Sequence, residues 1–499
     1  MHKYKPQTKE ELIKLVQNEN IYLGDIDTSL ITDMSELFKE SKRLDFSGIE
    51  TWDTSNVIDM HDMFFNCRKF NSDISKWNVY NIENMACMFF GNEEFNQYIG
   101  DWNVSNVKDM NSIFFDCKKF NQTLNNWNVY NVIDMSFMFY GASSFNQALD
   151  NWNVCNVKNM YGMFSGCKNF NQNLNTWNVS NVENMSCMFF ELENFNQPLN
   201  NWNVSNVNKM YSMFGMCKNF NQSLNDWNVS NVTDMNSMFK GAESFNQPLN
   251  NWNTSNVENM HSMFEKAYRF NSDINDWNVH NVKDMSNMFC KCKSFNKSLD
   301  KWNTSNVDNM RCMFFEAENF NQSINNWNVS KTKNMLGMFE NAYNFNQPLD
   351  NWDTSNVLYM NRMFFNCKKF NQTINNWNVA NVKNMNSIFS GCESFNESIE
   401  NWKINKTCII DNIFEDAISL KNVKSILNIY FIAKGNHKKK LLNMLENCDI
   451  KEVYKEVIKY SKLKDFINKL ENVYYTELKE LIDSKEEIIK KYKQNPKKI

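Results

Sequence analysis

From Trp52 onward the apolar residues return every 25 positions: all fifteen tryptophans lie on one grid, Trp52, Trp77, Trp102 and so on to Trp402. Numbered from its Trp, the unit reads W-N-V-S-N-V-x-x-M-x-x-M-F-x-x-C/A-x-x-F-N-Q-x-L-x-x. Fourteen complete copies run from Trp52 to Asn401. A fifteenth decays after Trp402, where Ile410 and Ile413 replace the methionines and Leu420 the second Phe. Within a unit the period changes. Val57, Met60, Met63, Phe64 and Cys67 lie 3, 3, 1 and 3 residues apart, which predicts the apolar face of a short helix. Ser55 or Asn56 is placed to cap its start. The following Phe-Asn-Gln-x-Leu segment, as in Phe145 to Leu149, predicts a strand of about five residues.

A block that repeats in strict register is one structural unit, so the chain is expected to be a stack of coils, growing by addition of units and not by enlargement of one core. The predicted coil is strand, turn, helix, turn, with equivalent strands pairing in parallel about 4.8 Å apart. Upstream, Ile31, Met34, Leu37, Phe38 and Leu44 lie 26 residues before Val57, Met60, Met63, Phe64 and Phe70, so one residue is inserted before Ile49. Three regions follow: an N-terminal helical cap over 1–26, with the helix in 7–21; the array over 27–420; and a Lys/Glu-rich helical region over 421–499. In the last, Leu441 to Leu445, Ile450 to Ile458, Leu463 to Leu470 and Leu478 to Ile489 are apolar at helical spacing. The first of these helices is expected to close the exposed end of the stack.

Composition narrows the class. Forty Phe and thirty Met in a chain that is 42% hydrophobic supply ample core, which argues against disorder. A net charge of −4 gives no global pull toward nucleic acid. The N-terminus has no apolar leader, and no apolar run reaches the ~18 residues of a membrane span. Fourteen cysteines show no zinc spacing, Cys290-x-Cys292 standing alone, so a thiol-reduced compartment is expected. The five histidines (His2, His61, His261, His280 and His437) have no paired spacing. Neither a phosphate-cradling Gly loop nor a nucleophile elbow occurs. No catalytic, cofactor-binding or metal residue is therefore assigned, no cofactor is expected, and the chain reads as non-enzymatic.

Asn occupies position twenty of every complete unit, from Asn71 to Asn396. Its expected role is a ladder that satisfies turn backbone in adjacent coils, just as the Met pair reads as core filler and the Trp as a buried stacking residue. Variation falls elsewhere. Positions ten and eleven change freely, as in His61-Asp62, Ser136-Phe137, Tyr161-Gly162, Arg311-Cys312 and Asn361-Arg362. Positions seventeen and eighteen carry mixed charge, Arg68-Lys69 and Lys368-Lys369 against Glu93-Glu94 and Glu393, which does not suit a nucleic-acid track. N-x-S/T sequons, for example at Asn103, Asn178, Asn203 and Asn228, follow from the repeat itself.

The motif W-N/D-V/T-S-N-V-x-x-M-x-x-M-F-x-x-C/A-x-x-F-N-Q-x-L, whole in Trp202 to Leu224, resembles that of the BspA-like leucine-rich-repeat surface proteins. The match is to their 25-residue variety, known among mycoplasma proteins of unknown function, and it covers about three quarters of the chain. The resemblance implies an α/β repeat solenoid, a leucine-rich-repeat-like right-handed coil with one parallel strand and one short helix per unit. It also implies adhesion or protein binding, and supplies no catalytic residues. The expected function is an extended surface for unidentified protein partners, without nucleic acid and without an integral membrane segment. The alternative is a cell-surface adhesin or host-contact protein. The missing leader favours a cytoplasmic or particle-associated location over the cell surface.

Overall fold

The computed structural model describes residues 2–457. The predicted helices at Leu463 to Leu470 and Leu478 to Ile489 lie outside the described residues, as does the basic end from Lys490 to Lys498. Each 25-residue unit makes one coil, and a parallel bridge at position eight joins it to the next, in an unbroken series from Asp33 to Ile409.

The predicted helix and strand do not form. Residues 60–66, where the helix was expected, are a chain of turns. Met63, Phe65 and Cys67 donate their amides to Met60, Asp62 and Phe64 oxygens at 3.2, 3.0 and 2.9 Å. The intervening amides reach the next coil: Met60 to Asn84 O at 3.1 Å, Asp62 to Ala86 O at 2.9 Å, Phe64 to Met88 O at 2.9 Å and Asn66 to Phe90 O at 2.6 Å. The His61 amide takes the Asp59 carboxylate at 2.9 Å. Every N–H from Met60 to Cys67 thus has a partner without helix or extended strand. Positive φ makes this alternation possible. Positions eleven and fifteen are left-handed in all fifteen units, beginning with Asp62 (φ 55°) and Asn66 (φ 56°). A helix cannot pass through such residues.

In the Phe-Asn-Gln-x-Leu segment a side chain does the work of a strand partner. Asn71 Oδ1 accepts the Asn96 amide at 2.9 Å, Asn96 Oδ1 that of Asn121, and so on until Asn396 accepts from Lys421 at 2.8 Å. The expected Asn ladder is real. A second one at position five was not foreseen: Asn56, read as a cap, donates to Ser29 O at 2.8 Å, and Asn81 to Ser55 O at 2.7 Å.

Inside the coil, Met60, Met63, Phe64 and Phe70 are fully buried and Trp77 nearly so. Rings stack from coil to coil, Phe64 on Phe89 at 5.8 Å and Trp102 on Trp127 at 6.5 Å with planes 2° apart. Each indole is also tied to backbone, Trp102 Nε1 donating to Ile74 O at 3.2 Å. Burial of each large ring contributes about 2–3 kcal/mol, and the hydrogen bond removes the penalty of a buried N–H.

Helices stand at both ends. α1, Lys9–Val16, starts at Thr8, which accepts the Glu11 amide, while Glu11 binds the Gln7 amide at 2.7 Å. Glu11 thus reaches one residue past the cap, to the amide before Thr8, and not to the cap's own amide as in the reciprocal T-x-x-E box. Arg43, 4% exposed, clamps this end by donating to Val16, Ile21 and Asp45 oxygens at 3.2, 2.6 and 2.6 Å. Leu44 does not fill the Phe70 position as expected: it is 80% exposed, and Phe46 packs edge-on to Phe70 at 5.0 Å instead. At the other end α2, Val423–Tyr430, was missed in the sequence. Its Ser425 hydroxyl accepts the Ile399 amide at 3.0 Å, and Asn428 donates to Ile399 O at 3.0 Å. α3, Gly435–Glu446, and α4, Ile450–Val457, follow. Among the described residues no helix is long and apolar enough to cross a membrane.

Candidate interaction faces

With the frame self-satisfied, function must be carried by side chains that point outward. Three rows do so. The first is the turn face, formed by positions eight, ten, eleven, fourteen and fifteen, where the freely varying pairs seen in the sequence are found. Position fourteen begins as a ring stack: Phe65, Phe90, Phe115 and Tyr140 at centroid spacings of 4.5, 4.2 and 4.4 Å. Tyr140 is continued by Phe137, edge-on at 5.8 Å, which meets Tyr161 at 4.6 Å. Tyr161 lies 5.9 Å from Tyr211.

Small neighbours make room for these rings. A Cβ on Gly162 would stand 2.9 Å from the Phe137 ring, and one on Gly215 2.8 Å from that of Phe190. Farther along, cations cover the same face. Lys291 sits over Phe315 at 5.6 Å. Arg362 lies over Phe365 at 3.7 Å, with its Nε bound to Glu340 at 2.9 Å. That carboxylate raises the guanidinium pKa.

The second row, positions seventeen and eighteen, is charged but neutralised across coils. Lys118 pairs with Glu93 at 3.3 Å, Lys218 with Glu193 at 3.0 Å, Lys293 with Glu318 at 2.9 Å and Lys368 with Glu393 at 2.9 Å. Each exposed pair is worth at most about 1 kcal/mol. The row presents alternating sign and not a basic track.

The third row joins positions four, five and seven, with the Asn ladder along its middle. It is mostly Ser and charged residues, broken in the first coils by Ile58, Tyr80, Tyr130 and Ile133, each 47–49% exposed.

The histidines are not brought together. His61 contacts Asp59 at 2.9 Å, and His280, on the third row, contacts Asn303 of the next coil at 3.1 Å. His261 lies 2.7 Å from Ser286 Oγ and 3.1 Å from Ser262 Oγ. The residue types resemble hydrolytic chemistry, but Ser262 is fully buried and donates to Glu265 at 2.8 Å. An acyl group has no path to it. Cys290 and Cys292 differ in surroundings: Cys292 lies in the core beside Phe264 and Ala267 oxygens, whereas Cys290 occupies the turn face. Burial pushes the Cys290 thiol up to about 12. All fourteen cysteines are unpaired, and among the described residues no His, Cys, Asp or Glu group is gathered to hold a metal.

Coils of this kind, closed by helices and varied only outside, define a stacked-repeat protein. The chain belongs to the family described as Mycoplasma protein of unknown function, DUF285, which matches it six times, over residues 10–127, 109–226, 188–300, 271–361, 318–428 and 347–450. No curated protein matches it. Among solved structures it is similar to an internalin from Listeria monocytogenes, with 10% identity over 83% of this chain and 87% of that one and a TM-score of 0.18. It is also similar to a leucine-rich-repeat protein from Leptospira interrogans, with 10% identity over 89% and 99% of the two chains and a TM-score of 0.17.

Proposed function

We propose that this chain is a non-enzymatic repeat protein that binds a protein partner on its turn face, over Phe137, Tyr140, Tyr161, Phe190 and Tyr211. The aromatic cluster carries this reading. Protein interfaces concentrate their energy in such rings, and these five stand where the frame needs no side chain. In this reading residues 27–420 are the binding array, and 1–26 and 421–499 are its end regions. The unpaired thiols favour a reducing compartment.

A photo-crosslinking residue at position 161, in full-length protein returned to its source cells, tests the proposal. One protein should crosslink there, lose crosslinking in a Phe190→Ala, Tyr211→Ala variant, and not crosslink from position 178, an exposed residue outside the turn face. Equal crosslinking from both positions would remove the turn face from consideration. Retention of the partner after deletion of residues 421–499 would place the binding in the array.

The second reading, an adhesin or host-contact protein, is supported by the resemblance of the repeat to BspA-like surface proteins. Protease added to intact cells would degrade the chain while sparing a cytosolic marker if it is displayed, and would leave it whole if it is not.

A further inference from the structure

The turn face repeats one arrangement three times. Lys39 lies over the Phe65 ring at 5.4 Å and binds Asp62 at 2.7 Å. Lys291 lies over Phe315 at 5.6 Å and binds Glu316 at 3.4 Å. Arg362 lies over Phe365 at 3.7 Å and binds Glu340 at 2.9 Å. In each, a cation of the chain covers a position-fourteen ring and pairs with a carboxylate of the same face.

Lys39 thereby closes one end of the stack Phe65, Phe90, Phe115 and Tyr140. The other end has the carboxylates without the cation. Gly141 leaves the space that Asp116 Oδ1 occupies, and Asp116 and Glu191, after burial, raise the Tyr140 hydroxyl pKa. Lys118, whose charge reaches Asp116, is itself bound to Glu93 at 3.3 Å. From Asp109 to Glu191 the turn-face positions hold Asp109, Asp116, Asp134 and Glu191 and no Lys, Arg or His. Among the described residues no cation lies over Tyr140, Tyr161, Phe190 or Tyr211.

A buried hydroxyl close by has no partner. Position ten holds Tyr161, Ser186 and Tyr211 in successive coils. The tryptophans of those coils stand 6.2 and 6.5 Å apart in succession, yet the rings of Tyr161 and Tyr211, two steps apart, are 5.9 Å from each other. They lean together over the middle coil, where Ser186 Oγ is fully buried and makes no hydrogen bond. Other serines at this position are satisfied. Ser286 donates to Asp284 at 2.5 Å and meets His261, position ten of the coil before, at 2.7 Å. A position-ten hydroxyl therefore faces the position-ten side chain beside it, and Ser186 has only tyrosines there. Its unmet hydrogen bond is a cost that a ligand's donor would remove.

We infer that the partner docks on this face through an arginine-bearing segment, an inference that rests on the turn-face reading. The guanidinium takes at Tyr140 the place that Lys39, Lys291 and Arg362 hold at their own rings, with Asp116 and Glu191 as acceptors. Arginine fits better than lysine, because its planar fork lies on a ring while several N–H groups donate. A further N–H of the segment reaches Ser186 Oγ when Tyr161 and Tyr211 part. An acidic segment would meet only like charge here.

Titration of the full-length protein with a fluorescent decapeptide of alternating Arg and Ser tests this, beside its Lys and Glu counterparts. The arginine peptide should bind, less tightly as salt rises, the lysine peptide about tenfold more weakly, and the glutamate peptide not at all. Asp116→Asn and Glu191→Gln together should weaken the arginine peptide about tenfold. Ser186→Ala should weaken it several-fold without lowering the melting temperature, because the lost hydroxyl has no partner in the free chain. Asp276→Asn, which removes a carboxylate bound to Lys301 outside this face, should bind as the native chain does. No binding of the arginine peptide, equal binding of the lysine or glutamate peptide, or unchanged affinity in the double variant or in Ser186→Ala would overturn the inference. Its failure is distinguishable from that of the turn-face reading. A partner that still crosslinks from position 161 in the Asp116→Asn, Glu191→Gln variant overturns the arginine and leaves the face standing. A native chain that crosslinks to nothing there fails the reading itself, whatever peptide it binds.

Discussion

Asn does two different jobs in this chain, and the atoms it uses distinguish them. At position five its amide nitrogen is the working group. At position twenty it is the carbonyl oxygen: Asn221 Oδ1 accepts the Asn246 amide at 2.9 Å and Gln247 Nε2 at 3.2 Å. Asn221→Ala should therefore cost about 1 kcal/mol, read as faster hydrogen exchange at the Asn246 amide. Asn221→Asp keeps the acceptor and should stay within about 0.5 kcal/mol of the native chain; equal losses in the two variants would show that the oxygen is not what matters. Single residues also set a pH response. The hydrogen bond from Lys5, and next those from Ser29, hold Asp27 well below the usual carboxylate range, with Lys5 Nζ 2.8 Å away. A depressed carboxylate contributes stability above its unfolded pKa of about 4 and loses it as pH falls toward the folded value. Acidification from pH 5 to 2 should accordingly loosen residues 2–26 more in the native chain than in Asp27→Asn. Hydrogen exchange followed by mass spectrometry reads both.

The coil shows why its own elements were misread. Turns closed every three residues, with left-handed residues four apart, put Val57, Met60, Met63, Phe64 and Cys67 inside at the same intervals a helix would use. Spacing alone could not separate the two. The discriminating signal lay at a position treated as variable: Gly, Asn or Asp fills position fifteen in ten of fifteen units, the residue types that enter the left-handed region most easily. The Trp grid, the buried Met pair and the Asn ladder were legible because they depend on the repeat and not on backbone type. The outward faces were legible as variation but not as chemistry, since no spacing rule says that Phe137 and Tyr161 meet or that Tyr80 and Tyr130 stand apart. The strain assigned to position fifteen is measurable. Lys266, at φ 61°, should become more stable as Lys266→Gly by up to about 1 kcal/mol. Gly241, at φ 70° with a Cβ position 2.5 Å from Met216 Sδ, should lose about 2 kcal/mol as Gly241→Val. Thermal unfolding of the pair should move in opposite directions; movement in the same direction would contradict the left-handed assignment.

In the assembled stack, each coil contacts its two neighbours and little else, so stability is a sum of near-identical interfaces and the ends need separate treatment. The backbone shows the difficulty at those ends. Amides at positions nine, eleven, thirteen and fifteen always donate forward, so the last coil has no following coil to receive Ile410, Asn412, Phe414 and Asp416, just as the first has none before Asp33. α1 meets the first edge through Lys9, 3.1 Å from Asp33, and α3 meets the last through Lys440 and Glu415. Covering sheet-like edges with helices limits unwanted pairing with another chain. If the interior is so regular, its length is adjustable. Removing residues 227–251 joins Asp226 to Trp252 and leaves every rule intact: Trp252 inherits the place of Trp227, and Asn271 that of Asn246 on the Asn221 oxygen. This shortened chain should fold with native circular dichroism and lose only a few degrees of melting temperature. Removing residues 227–238, about half a unit, puts Phe239 where a Trp must stack and breaks both Asn ladders at once; it should be insoluble or molten. Equal tolerance of the two deletions would mean that the coils do not depend on register, and the packing described here would not be what holds the stack together.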